Sequence, residues 1–158
     1  MNRDPLYVFE ISLHRSPPET AVSGPYADAW GLWPTLAVPH EQLAVPMTIE
    51  FDDAIRQLAG LERMYAEPDG SFVWTSTREG LSWQVDGNLF EKDGRVLLVD
   101  MKGGCPPAEF DRLLGCFGWP GEAVMMQLVR PAVFLDEATF RRHALARGTE
   151  ENGRTLPG

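Results

Sequence analysis

The sequence predicts one α+β domain in which an antiparallel or mixed sheet of about five strands is flanked by three helices. Its 158 residues suit a single core, and 44% of them are hydrophobic while 23% are charged. Short β-branched or aromatic runs are interspersed with longer segments that carry apolar residues at helical spacing. We expect residues 1–147 to form this domain and residues 148–158 to form a flexible tail.

The first strand and a long proline-rich segment open the domain. Residues 6–13 are rich in β-branched and aromatic side chains and precede a Ser-Pro-Pro breaker, which predicts a strand. Residues 16–46 contain six prolines and no periodic pattern, so they are predicted to form an ordered loop. Trp30 and Trp33 lie in this segment. Loop tryptophans usually anchor a loop to the core, and in some proteins they mark a contact surface.

The first helix is predicted over residues 50–65. Thr48 can cap it, and acidic residues occupy the first turn, where the helix dipole favours negative charge. Apolar residues then recur at helical spacing as far as Tyr65. A Pro-Asp-Gly turn follows, and residues 71–77 are predicted to form the second strand.

A β-hairpin is the most specific local prediction. Two apolar, partly alternating runs at 81–91 and 95–102 flank Asp93-Gly94, a pair that tolerates the positive φ of a tight turn. The remaining elements are a helix at 107–117, a strand at 123–129 that is apolar except for Gln127, and a helix that begins after Asp136 and ends near Arg147.

Composition and charge restrict the location and the partners. The net charge is −9, which disfavours attraction to nucleic acid and suits a basic protein partner. The first residues lack the basic region and cleavage site of an export signal, and no apolar run approaches the roughly eighteen residues of a membrane helix. We therefore expect a cytoplasmic protein with no membrane segment.

Several catalytic motifs are absent from the sequence. There is no phosphate-binding loop, dinucleotide-binding loop, nucleophile elbow or metalloprotease motif. His14, His40 and His143 are isolated along the chain. Cys105 precedes a predicted helix, whose dipole can activate a thiol, and His143 is the obvious downstream base. Thiol chemistry therefore stays a minor alternative.

Asp86, Asp100 and Lys102 form a candidate catalytic group. Asp100 and Lys102 are two residues apart on one predicted strand, so their side chains leave the same face of the sheet. Asp86 lies on the neighbouring strand. If the three converge, the two carboxylates can hold a Mg²⁺ ion while the lysine orients a water for phosphodiester hydrolysis.

Convergence depends on the register of the hairpin. A two-residue turn at Asp93-Gly94 pairs Asp86 with Met101. The side chains of Asp86 and Asp100 then project from opposite faces of the sheet, unless a bulge shifts the register. A three-residue loop at 92–94 sets Asp86 directly opposite Asp100. Directly paired carboxylates lie close enough to share a metal.

The segment VDGNLFEKDGRVLLVDMKGG resembles the active-site hairpin of the PD-(D/E)XK, or restriction-endonuclease-like, nuclease superfamily. The order of elements across residues 50–129 is also similar to the core of that superfamily. The resemblance implies a metal-dependent nuclease acting on nucleic acid, with Asp86, Asp100 and Lys102 as catalytic residues. It also implies a Mg²⁺ held by Asp86, Asp100 and Glu62, the acidic residue on the first predicted helix.

A non-catalytic binding module is the alternative function. The acidity of the chain favours an immunity-type or inhibitor-type protein that neutralises a basic protein partner, because complementary charge speeds association. Trp30 and Trp33 fit this alternative as contact residues, since tryptophan is enriched at the centres of interfaces.

Overall fold

The chain folds around one antiparallel sheet of nine strands in the computed structural model, which describes residues 5–77 and 82–155, with side chains as far as residue 149. The predicted sheet of about five strands is therefore wrong in its size, whereas three helices do accompany the sheet. The strands are β1 (Tyr7–Arg15), β2 (Ala21–Asp28), β3 (Gly31–Ala37), β4 (Met64–Ala66), β5 (Ser71–Thr75), β6 (Gln84–Lys92), β7 (Arg95–Cys105), β8 (Val124–Leu128) and β9 (Val133–Asp136), and the helices are α1 (Phe51–Ala59), α2 (Pro107–Gly115) and α3 (Glu137–Thr155).

The Pro-rich segment 16–46 is not a loop, because it contains β2, β3 and a 3-10 helix at His40–Ala44. Strand β2 forms one edge of the sheet and is largely exposed, so it lacks the apolar alternation that identifies a half-buried strand. Pro25 lies where the β2–β3 register shifts between Ser23 and Tyr26. A bulge tolerates proline because the ladder of hydrogen bonds is already interrupted there.

The two other unpredicted strands are short, and each begins directly after a residue whose backbone φ is positive. Helix α1 ends at Ala59 rather than near residue 65, and Arg63 then adopts a φ of 62° in the turn before β4. Strand β9 pairs with β8 after a turn in which Ala132 has a φ of 58°. Such positive φ values break helical and strand patterns in ways that residue type alone does not reveal.

Strand β1 lies at the centre of the sheet, whose order is β2-β3-β9-β8-β1-β7-β6-β5-β4. It pairs with β7 on one side and with β8 on the other, and both pairings are antiparallel. The hairpin strands β6 and β7 pair along their length, as the Asp-Gly turn predicts. Leu81, the first residue of the predicted strand 81–91, lies outside the described residues.

The core lies between one face of the sheet and the helices. Phe9 on β1 has its ring centroid 5.3 Å from that of Phe110 on α2 and 6.0 Å from that of Phe140 on α3. Edge-to-face rings at this spacing add to the stability that their burial provides. We call this side the covered face and the opposite side of the sheet the open face.

Helix α3 continues to Thr155, beyond the predicted end near Arg147, so part of the predicted tail 148–158 is helical. Gly148 is buried where α3 crosses β1, and a Cβ at this position would overlap the carbonyl oxygen of Leu6. This close approach requires a glycine and explains why a residue of low helix propensity lies inside a helix. In the described part of the chain, no helix is both long and apolar enough to span a membrane.

Candidate functional site

The hairpin that carries the candidate catalytic residues has a two-residue turn followed by a bulge. Asp93 and Gly94 have φ values of 53° and 79°, and Lys92 pairs with Arg95. The register then shifts, because Glu91 pairs with Val96 whereas the preceding residue of β6 pairs with Leu98. The extra residue on β7 moves every later pair by one position. The structure therefore combines the first of the two predicted turns with the bulge that changes its register.

The bulge brings Asp86, Asp100 and Lys102 to the open face. Asp86 pairs with Lys102, and Asn88 pairs with Asp100. Directly paired residues and residues two positions apart share a face, so the three predicted side chains are neighbours. Asp86 and Asp100 are diagonal rather than opposite, a relationship that separates Cα atoms by about 7 to 8 Å.

Lys102 has an ion partner that the sequence did not suggest. Its Nζ lies 3.6 Å from Oε2 of Glu10 on β1, and Arg130 Nε lies 3.3 Å from Oε1 of the same carboxylate. Asp86 accepts a hydrogen bond of 2.9 Å from the side-chain amide of Gln84. The lysine thus lies between two carboxylates, Asp86 on one neighbouring strand and Glu10 on the other.

Glu62 does not join this group. It is exposed in the turn between α1 and β4, and its backbone carbonyl accepts a hydrogen bond from the indole of Trp74, which is buried on the covered face. Across the described residues, no three His, Cys, Asp or Glu side chains converge as metal ligands. The donor set fits Mg²⁺ poorly, since Asp86 and Asp100 are diagonal on the sheet and Glu62 lies in the separate turn between α1 and β4. A Mg²⁺ held by Asp86, Asp100 and Glu62 stays a prediction.

Apolar side chains lie beside the charged residues on the open face. Tyr65 pairs with Val73 and Val73 pairs with Asp86, which extends the row Asp86–Lys102–Glu10 to the sheet edge at β4. Tyr65 is 61% exposed and Val73 is 36% exposed. A row that mixes exposed apolar and charged side chains on one face of a sheet is typical of a contact surface. Together with Phe90, which is 42% exposed on the same face, these residues form what we call the binding face.

One end of the sheet carries a concentration of carboxylates. The β4–β5 turn, the β6–β7 turn and the start of α1 meet there, because the amide of Phe51 donates to the carbonyl of Gly94 at 2.9 Å and the amide of Leu89 donates to Gly70 at 2.8 Å. Two cations, Lys92 and Arg95, flank the hairpin turn, and the ammonium group of Lys92 donates a hydrogen bond to the carbonyl of Ala44. Exposed carboxylates define this acidic end: Glu50, Asp52, Glu67, Asp69, Glu91 and Asp93.

A second polar cluster, buried beneath the β2–β3 hairpin, joins that hairpin to α3. Asp28 Oδ2 lies 2.8 Å from Nε2 of His143, and Asp28 Oδ1 accepts hydrogen bonds from the amide of Trp30 at 2.9 Å and from the indole of Trp33 at 3.0 Å. Burial alone would raise the pKa of Asp28, but the hydrogen bonds from Trp33, His143 and Trp30 outweigh it, and the pKa is lowered. Asp28 is therefore an ionised carboxylate, and its Oδ2 accepts a hydrogen bond from the N–H at Nε2 of His143.

The two tryptophans of this cluster enclose the imidazole. The ring centroid of His143 is 5.6 Å from that of Trp30 and 5.0 Å from that of Trp33, with both pairs close to perpendicular. The guanidinium carbon of Arg147 lies 5.2 Å from the centroid of Trp30. Both tryptophans thus hold the hairpin against α3, the anchoring role that loop tryptophans usually have. An open cleft lies beside them.

The cysteines do not support thiol chemistry. Cys105 and Cys116 are both free and buried. Burial, with a smaller contribution from Glu109, raises the pKa of Cys105, and burial raises the pKa of Cys116 to about 11. A thiol with a raised pKa is protonated near neutral pH and is a poor nucleophile. His143, the base considered for Cys105, is bonded to Asp28 instead.

Comparison of the chain with protein-family models, with curated proteins and with solved structures gives no match.

Sequence reasoning found one of these regions and missed the other two. The Asp-x-Lys spacing and the Asp-Gly turn identify the open face near Lys102. The acidic end is assembled from two turns and the start of α1, and only the net charge indicated it. Asp28 and His143 are separated by 115 positions, and neither lies in a motif that would single it out.

Proposed function

We propose that this protein is a non-catalytic binding module that recognises a basic protein partner through the binding face and the adjoining acidic end. The observation that carries the proposal is the continuity of the two surfaces. Glu67 of the acidic end follows Tyr65 of the binding face by two residues, and its amide donates to the carbonyl of Ser71 at 2.9 Å, which continues the pairing of β4 with β5. A partner strand or loop can therefore bury apolar side chains on the sheet while its cations reach the carboxylates.

The apolar part of this surface supplies anchors. Tyr65 and Phe90 are aromatic side chains on rigid strands, and such residues bury large areas with little loss of conformational freedom. Val73 lies beside Tyr65 on the adjacent strand. Interfaces commonly concentrate their binding energy in a few anchors of this kind, surrounded by polar residues that exclude water.

The charged part supplies attraction and selectivity. Six exposed carboxylates lie at the acidic end, whereas Lys92 and Arg95 are the cations of the hairpin there. Carboxylates that face solvent add little to stability, but their summed field accelerates encounter with a basic partner and disfavours an acidic one. The net charge of −9 acts in the same direction.

The metal-dependent nuclease stays a second candidate because the bulge does bring Asp86, Asp100 and Lys102 to one exposed face. Two features make the nuclease a weaker candidate than the binding module. Lys102 is paired with Glu10, and the described residues contain no third carboxylate positioned with Asp86 and Asp100 as a metal ligand.

A titration with two designed peptides tests the binding module. The first peptide alternates lysine with leucine, and the second alternates glutamate with leucine, so both offer the same apolar pattern with opposite charge. We expect the basic peptide to shift amide resonances of Tyr65, Val73 and Phe90 in a saturable manner, and the acidic peptide to shift none of them. Raising the salt from about 0.05 to 0.3 M should weaken the basic complex several-fold.

Matched variants distinguish this surface from general stickiness. Tyr65→Ser removes an anchor on the binding face, whereas Val22→Ser removes an even more exposed apolar residue from β2 at the opposite edge. Only Tyr65→Ser should weaken the basic peptide, by about tenfold. Equal losses in both variants, or an affinity that does not respond to salt, would overturn the proposal.

A further inference from the structure

The β2–β3 hairpin carries a second exposed apolar surface, at the edge of the sheet opposite β4. Val22 on β2 is 78% exposed and Leu32 on β3 is 67% exposed, the two highest values among the large apolar side chains of the described residues. Single exposed apolar side chains are common on protein surfaces, whereas a contiguous group of them marks a contact site. The arrangement of their neighbours therefore decides what these two residues mean.

Strand pairing places several apolar side chains on one face of this hairpin. Trp33 on β3 packs against His143 of α3, with ring centroids 5.0 Å apart, so Trp33 points towards the helix. Because side chains alternate along a strand, the residues on either side of Trp33 project away from the helix. Val22 pairs with Leu36, which pairs in turn with Phe134 on β9. The residues that share this face form what we call the hairpin patch: Val22, Leu32, Pro34, Leu36 and Phe134.

The hairpin patch lies in an almost uncharged part of the chain. Within residues 20–39 the only acidic or basic residue is Asp28. Its side chain is mostly buried, and both of its oxygens accept hydrogen bonds from within the domain. The whole chain, in contrast, has a net charge of −9. The patch is thus a neutral apolar surface on a strongly acidic protein, and it offers no charge to attract a basic or an acidic partner.

This composition fits a second copy of the same chain. Two chains of net charge −9 repel each other, so they associate most readily where no carboxylates face one another, and the hairpin patch satisfies that condition. Interfaces between identical subunits are more apolar than other interfaces and are depleted of charge at their centres. The commonest arrangement is a two-fold dimer, in which each copy presents the same patch to the other.

Side chains, rather than a shared ladder of hydrogen bonds, carry this contact. Strand β2 is an edge strand, with β3 as its neighbour in the sheet. Pro25 has no amide hydrogen, and it lies where the register shifts between Ser23 and Tyr26. Proline and a bulge are features that prevent continuous pairing along the edge of a sheet. The apolar face of the hairpin is therefore the contacting surface.

We propose that the protein forms a two-fold homodimer through the hairpin patch. Strands β2 and β3 have eight and seven residues, so the patch is about 25 Å long and, across three strands, about 10 Å wide. A contact of this size lies at the lower end of specific interfaces, and we expect the dimer to dissociate with a micromolar Kd. The patch shares no residue with the binding face or the acidic end, so the dimer does not depend on the proposed function.

Sedimentation equilibrium of the full chain, from about 1 to 500 μM, tests the dimer. We expect association to stop at the dimer, since a two-fold contact leaves no free patch. Raising the salt from about 0.05 to 0.3 M should strengthen the dimer several-fold, because salt screens the repulsion between two acidic chains. The same change is expected to weaken the complex with the basic peptide. The dimer and the proposed partner complex thus have opposite salt dependences, which separates the failure of one from the failure of the other.

Variants locate the contact. Leu32→Glu places one carboxylate from each copy in the interface and should weaken dimerisation at least tenfold, with the fold retained because this side chain faces solvent in the monomer. Val22→Ser removes apolar area and should weaken it several-fold. Leu145→Ser, at an exposed apolar position on α3, is the matched control and should leave the dimer Kd unchanged. A monomer at every concentration, association that continues beyond the dimer, a dimer that salt weakens, or a dimer that Leu32→Glu leaves intact would overturn the proposal.

Discussion

Nε2 of His143 lies 2.8 Å from Oδ2 of Asp28, and this partly buried hydrogen bond joins residues that are 115 positions apart. It connects the last residue of β2 to the middle of α3, and Asp28 also binds the amide of Trp30 and the indole of Trp33. One carboxylate therefore fixes the edge hairpin β2–β3 to the helix that covers the centre of the sheet. Its loss should affect this hairpin before the rest of the fold.

Asp28→Asn should lower the free energy of unfolding at pH 7 by about 2 to 4 kcal/mol, because hydrogen bonds to a buried carboxylate are replaced by weaker ones. The pKa of Asp28 in the folded protein is below its ordinary value of 3.8, so its stabilising contribution is complete above that value and is lost at lower pH. Denaturant unfolding at several pH values should show wild type and variant converging as the pH falls below about 4. A constant difference down to pH 2 would contradict this assignment, and Glu19→Gln, at an exposed position, should have no comparable effect.

Acid should destabilise the protein through His14. This residue is buried on β1, its Nε2 lies 2.8 Å from Oγ of Ser12, and its ring packs against Phe134. Burial lowers the pKa of His14 from 6.5 to about 4, so the unfolded chain binds a proton that the folded chain does not bind between these values. The stability that neutral His14 contributes is complete above pH 6.5 and is lost on going down to pH 4, by up to about 3 kcal/mol.

His14→Leu removes the titrating group and tests this linkage. The variant should lose much less of its unfolding free energy between pH 6.5 and 4 than the wild type does, even if its stability at pH 7 differs. Urea unfolding at half-unit pH steps gives both slopes. Parallel slopes for the two proteins would assign the acid sensitivity to other groups.

Gly87 on β6 should not tolerate a side chain. A Cβ there would lie 2.1 Å from the ring of Phe72, which is buried across the strand pair. Gly87→Ala should therefore cost about 1 to 3 kcal/mol through overpacking, and Phe72→Leu in the same chain should recover part of that loss. Gly24→Ala is the control, because no atom lies within 4 Å of the position that a Cβ would occupy there. Thermal unfolding measures all three variants, and equal losses for Gly87→Ala and Gly24→Ala would contradict this packing.

The binding-module proposal predicts that Asp100 has no role in cleavage of nucleic acid. Wild type and Asp100→Asn should be equally inactive on plasmid and on single-stranded DNA with Mg²⁺ or Mn²⁺. Metal-dependent cleavage by the wild type that Asp100→Asn abolishes would instead establish the nuclease. Lys102→Met then serves as the second variant, because the nuclease mechanism requires the ammonium group.

The open face shows which features a local sequence pattern can predict and which it cannot. The Asp-Gly pair predicts a tight turn, and the period of two predicts that Asp100 and Lys102 share a face, because both depend on residues close in sequence. The bulge that aligns Asp86 with Lys102 arises from pairing between strands, and no residue of β7 signals it. Glu62 illustrates the opposite error, since helical spacing put it on α1 while the helix ends at Ala59.

By itself, the sequence determined the elements whose signals are local: the β-branched and aromatic strand β1, the Asp-Gly hairpin and the presence of three helices. Only the tertiary structure decided the edges of the sheet and the buried polar cluster. Strand β2 is largely exposed and carries no apolar alternation, so its pairing with β3 defines it. The contact between Asp28 and His143 exists because the sheet brings α3 under that hairpin, and a dependence of this kind on distant chain segments leaves no local signature.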